Sequence, residues 1–183
     1  MTETEDQTDQ DPPSNGSRRR LSIVISDCPE GLEQAVCDAA RLTLRSHNIR
    51  RGCLEVAVVG MAEMCRQHER WMGDASPTDV LTFDLRDKIE AGVVDGQLLV
   101  CKSVARRRAR GRGADWRGEL LLYVVHGCLH LCGYDDQDES EASRMHERED
   151  QILSDLGWGE VYSKLTARRR KKTRNSIVRG FMA

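Results

Sequence analysis

The segment His126-Gly127-Cys128-Leu129-His130-Leu131-Cys132-Gly133-Tyr134-Asp135-Asp136 leaves the chain little freedom in its local fold. Histidines four apart on a helix lie one above the other on a single face. Gly133 then supplies the left-handed backbone that commonly ends a helix, and the chain can turn back to bring Asp136 beside both imidazoles. Two ring nitrogens and a carboxylate form the donor set of a catalytic zinc site, which keeps its fourth position open; structural zinc usually takes four protein ligands. The segment therefore reads as a site for one zinc ion held by His126, His130 and Asp136, on a C-terminal helix and the turn after it. Asp135 competes with Asp136 for the third position, and its plainer reading is a turn residue capping the next helix. Cys128 and Cys132 each sit two residues past a histidine, about 200° round the helix, and read as packing residues.

The flanking pattern predicts an α/β fold: a single compact domain with a mixed sheet of about four strands and helices, spanning residues 21–162. Strands are expected at Leu21–Ser26, Cys53–Val59, Asp79–Asp84 and Gln97–Cys101, where β-branched and apolar residues run together between Gly, Pro and Asp breaks. Helices are expected at Leu32–Leu44, Met61–Met72, Lys102–Arg110, Trp116–Cys132 and Asp138–Leu156. In the histidine-bearing helix, Leu122, Val125, Leu129 and Cys132 make an apolar stripe at helical spacing, and Met145, Ile152 and Leu156 do so in the last helix. Trp71, Trp116 and Trp158 read as core aromatics. A chain of 183 residues suits one such core.

Residues 1–20 are polar and acidic, too poor in apolar groups to offset the entropy of ordering, and read as a flexible extension. Residues 163–183 form a basic tail without an acidic residue. The net charge of −2 hides this segregation: Arg106-Arg107-Arg108 and Arg168-Arg169-Arg170-Lys171-Lys172 are candidate contacts for RNA phosphates, against the plainer reading of solvated charge runs. Seven scattered cysteines, an odd number, fit free thiols in a reducing compartment better than a disulfide framework. With no apolar run of about 18 residues and an acidic start, the expectation is a cytoplasmic protein with no membrane partner.

Zinc proteases of the metzincin type share the spacing of the two histidines, the glycine and the third ligand. They place a Glu directly after the first histidine as general base, and here that position is Gly127. The proton acceptor would have to come from elsewhere, and Asp135 is a candidate by proximity alone.

His126 to Asp135, together with Pro77-Thr78-Asp79-Val80-Leu81-Thr82-Phe83 upstream, resembles the signature of the YbeY family of ribosomal RNA maturation factors. The resemblance covers roughly Leu21 to Tyr162. It implies a single α/β domain, a zinc ion, and single-strand-specific endoribonuclease activity in the processing and quality control of ribosomal RNA. It also implies RNA, and proteins of the small ribosomal subunit, as partners. The chain departs from the family pattern at three positions. Asp136 stands where the third ligand is usually His, Met72 stands where an Arg would meet phosphate, and Gln97 stands where an acid usually follows the glycine. A ribosome-associated binding factor with a structural metal is the reading that Met72 and Gln97 favour, and a metalloprotease the reading that Gly127 disfavours.

Overall fold

Among the described residues, short β-branched runs alternating with amphipathic ones produce four principal strands and five helices. The computed structural model describes residues 20–111, 113–159, 161 and 177–178. Strands β1 (Ser22–Ser26), β2 (Arg51–Val59), β3 (Val80–Asp84), β4 (Val93–Cys101) and a two-residue β5 (Ile177–Val178) form one sheet in the order β1-β2-β4-β3-β5. β1, β2 and β4 are parallel, β3 runs antiparallel to β4, and β5 lies parallel to β3. The helices are α1 (Glu33–Ser46), α2 (Met61–Met72), α3 (Lys102–Arg110), α4 (Trp116–Leu131) and α5 (Glu139–Asp155). This is the single α/β domain expected. β4 begins at Val93 rather than Gln97, because Val93 and Val94 pair with Arg51 and Gly52 ahead of the Asp95-Gly96 step that looked like a break.

Register decides which residues meet the helices. Val56 is level with Leu98, and Leu98 with Thr82, so these three residues share one face of the sheet. That face carries α4: a Cβ built on Gly127 would lie 2.8 Å from Leu98 Cδ2 and 3.0 Å from Thr82 Oγ1. Only glycine allows the helix to approach this closely. α1 and α5 pack against α4 from its outer sides. On the opposite face Gln97 donates from Nε2 to Glu55 Oε2 at 3.0 Å. Gln97 thus points away from the histidine helix, and its departure from the family pattern does not alter the helix-covered side.

Helix α4 is not the one-sided stripe expected. Every residue from Gly118 to Leu129 is buried, so the helix is the central rod of the domain, enclosed by the sheet, α1, α3 and α5. Each leucine buried there contributes about 1.5–3 kcal/mol. Trp71 also departs from its core assignment: it is 41% exposed at the end of α2, stacked edge-on against Phe83 at 5.5 Å. Trp116 and Trp158 are partly buried against the core. Among the described residues no helix is long and apolar enough to cross a membrane.

Candidate metal centre

Asp115 starts α4 by accepting a hydrogen bond from the Arg117 amide at 3.0 Å. At the other end Gly133 takes φ +95°, and Tyr134 N bonds back to Leu129 O at 3.0 Å, closing the helix with a left-handed cap. The reversed chain places the Tyr134 carbonyl 3.0 Å from His130 Nδ1 and brings Asp136 over the histidine face. His126, His130 and Asp136 each offer a ligand atom, all within 4.8 Å of one another. His126 Nε2 and His130 Nε2 are 3.0 Å apart, and Asp136 Oδ2 lies 3.9 Å from His126 Nε2. The three residues singled out by spacing therefore converge on one point.

What lies behind the rings decides what they present in front. Glu149 Oε1 is 2.5 Å from His126 Nδ1, and Glu149 Oε2 is 2.9 Å from His146 Nδ1. A carboxylate or carbonyl oxygen can only accept, so His126 and His130 each donate from Nδ1. In the neutral rings both Nε2 lone pairs then face each other and the Asp136 carboxylate. Such a cluster of acceptors repels itself unless a cation or a proton lies within it, and nitrogen and carboxylate donors at this spacing fit zinc.

Burial works against the charged form of His126, but the charge and hydrogen bond of Glu149 outweigh it and raise its pKa above the ordinary value. At His130 burial and the neighbouring His126 push the pKa down to about 4. Burial would lift Glu149, yet the charge and hydrogen bonds of His126 and His146 hold it below the usual carboxylate value.

Other candidate residues fall into different surroundings. Burial raises the Cys128 thiol well above its ordinary pKa and pushes Cys132 up to about 12, so both pack as thiols. Asp135 Oδ1 accepts from the amides of Asp136 at 2.7 Å and Gln137 at 3.2 Å, which makes it the clasp of the turn. The cap of α5 is Asp138, which accepts from Ser140 N and Glu141 N, both at 2.8 Å. Arg106 and Arg107 are exposed, with Arg106 over the Trp116 ring at 4.5 Å. Arg108 turns inward: its Nη1 is 3.0 Å from Asp79 Oδ2, and it lies 5.7 Å from the Tyr123 ring centroid. Arg168, Arg169, Arg170, Lys171 and Lys172 lie outside the described residues.

The family described as Endoribonuclease YbeY matches residues 23–157. The chain belongs to the YbeY family. An Endoribonuclease YbeY from Acidothermus cellulolyticus is 34% identical over 137 residues, covering 67% of this chain and 82% of that relative. Another, from Micrococcus luteus, is 33% identical over 132 residues, covering 68% and 83%. A solution structure from Thermotoga maritima superimposes with a TM-score of 0.54 at 24% identity, covering 74% of this chain and 92% of that one, and shares the fold. YbeY relatives bear the name of an endoribonuclease, and membership makes this chain a hydrolase of that class.

The third departure from the YbeY pattern can also be placed. Met72 is the last residue of α2 and is 38% exposed, while Arg70 lies over the Trp71 ring at 5.2 Å. The buried Glu149 and its partner His146 escaped the sequence reading. Their signal was present: Glu149 falls four residues after Met145 and three before Ile152, a carboxylate in an otherwise apolar stripe.

Proposed function

We propose that this chain is a zinc-dependent endoribonuclease that cuts single-stranded RNA during ribosomal RNA processing and quality control. The observation that carries the reading is the pair of Nε2 atoms 3.0 Å apart beside Asp136, in a member of an endoribonuclease family. His126, His130 and Asp136 would hold one zinc ion, and three protein ligands leave a position for water or substrate. When bound, zinc supplies Lewis-acid chemistry, lowering the pKa of a water and polarising a phosphodiester oxygen.

The chain's own groups orient that chemistry. Glu149 and the Tyr134 carbonyl hold the two rings so that both Nε2 atoms face the site. Asp135 is committed to the turn, which argues against its serving as the base. The exposed Arg106 and Arg107, with the basic tail at Arg168–Lys172, supply phosphate contacts; Arg108 is engaged with Asp79. RNA is the partner this chemistry fits, with proteins of the small ribosomal subunit guiding access and the cytoplasm as the compartment.

Incubating zinc-loaded protein with single-stranded RNA and with casein tests the reading. Chelator-sensitive cleavage of RNA alone is expected, lost in His126→Ala and His130→Ala together with zinc. Unchanged zinc content and RNA cleavage in both variants would overturn it. Met72 favours a second reading, a ribosome-associated binding factor with a structural metal, which predicts zinc-loaded protein that binds ribosomes and leaves RNA intact.

A further inference from the structure

We propose that Glu149 is a positioning residue for the metal centre, with His146 as its outer partner, and that together they set its zinc affinity and keep its fourth position open. The inference rests on the zinc reading above. Glu149 comes from α5, one helix away from the ligands, and is 1% exposed. A buried carboxylate is costly unless hydrogen-bonded and paired. Here it occupies a position where an apolar residue would pack with Met145 and Ile152, and its partners are two histidines, one of them a candidate ligand.

The geometry assigns each oxygen a task. Oε1, at 2.5 Å from His126 Nδ1, accepts the hydrogen bond that this nitrogen donates and so leaves Nε2 with its lone pair facing the site. Oε2, at 2.9 Å from His146 Nδ1, is held on the side of α5. With both oxygens engaged behind the ring, Glu149 does not itself become the fourth ligand. His130 is oriented differently, by the Tyr134 backbone carbonyl at 3.0 Å. Of the two rings, His126 is therefore the one whose tautomer depends on a side chain.

The test measures zinc affinity of the full chain by competition with a chromophoric chelator. Wild type should bind one zinc. Glu149→Gln should bind about 10–100-fold more weakly, and His146→Asn a few-fold to about tenfold more weakly. Glu149→Met, which refills the volume without an acceptor, should weaken zinc at least as much as Glu149→Gln, and ring-nitrogen NMR should show His126 losing its fixed tautomer in both. Wild-type affinity in Glu149→Met would reduce Glu149 to packing and overturn the proposal. Should the Glu149 variants fail to fold, His146→Asn, at a partly exposed ring, decides: unchanged affinity there overturns it as well. A wild type that binds no zinc overturns the zinc reading instead.

Discussion

Helix α4 carries two buried polar clusters, and they differ in whether they contain their own cation. Toward its N-terminal end Glu119 accepts from the Tyr123 hydroxyl at 3.0 Å, and Arg108 reaches in beside that ring to pair with Asp79 at 3.0 Å. Burial would depress the Arg108 pKa, but Asp79, Tyr123 and Glu119 together outweigh it and keep the guanidinium charged. Toward the C-terminal end, the inward atoms of His126, His130 and Asp136 are all acceptors once the rings are neutral. The first cluster is complete as folded. The second is completed from outside, by a proton or an ion. Both are polar, largely buried and packed along one helix, so burial and polarity alone do not separate a structural network from a binding site; a cation held within the cluster does.

Four substitutions probe that contrast, and the largest effect belongs to the incomplete cluster. His130→Ala should lower zinc affinity by more than the roughly 10–100-fold that loss of an outer partner costs. Its metal-free melting temperature should move by no more than about 2–4 °C, the equivalent of ~1 kcal/mol. Arg108→Met should do the reverse, costing about 2 kcal/mol. That is less than the ~3–5 kcal/mol of a fully buried pair, because Arg108 keeps some exposure. Thermal melts with zinc analysis read both, and loss of zinc at an unchanged melting temperature in Arg108→Met would erase the distinction.

Gly127→Ala touches the packing that underlies the second cluster. Overpacking against Leu98 and Thr82 costs about 1–3 kcal/mol. The gain in helix propensity returns about 1 kcal/mol. A modest net loss in a denaturant melt is expected, and a gain would show that the sheet gives way. Smallest of all is Asp138→Ala, outside both clusters, read by melting temperature across pH. Hydrogen bonds from the Glu141 and Ser140 amides and hydroxyl hold the Asp138 carboxyl below its ordinary value of 3.8. Its stabilisation is therefore present above pH 3.8 and lost as pH falls through the lowered folded value. The gap between wild type and variant should close in acid, and a gap that persists there would mean the cap does not act through its charge.

Much of this fold was legible in periodicity, since each of the four principal strands and five helices falls where apolar spacing places it. The exceptions share a cause. β4 was cut short because Asp95 and Gly96 resemble a break until β2 is seen to pair through them. Helix α4 looked one-sided because sequence spacing does not reveal that several elements enclose one helix. The His126–His130–Asp136 set is local, eleven residues from first to last, and was readable for that reason. The pairing of Asp79 with Arg108 and of His126 with Glu149 joins residues distant in sequence, which spacing along one helix cannot predict. Glu149 was visible only as an acid in an apolar stripe, an anomaly without an address until α5 was docked.

Gly127 has a consequence for the order in which the site would fill and empty. By letting α4 press against Leu98 and Thr82, it draws His126 inward until only 6% of that residue is exposed, while His130, one turn on, stays closer to solvent. The candidate ligands are thus graded by depth: an ion entering from solvent would pass His130 and Asp136 before reaching His126 at the floor of the site.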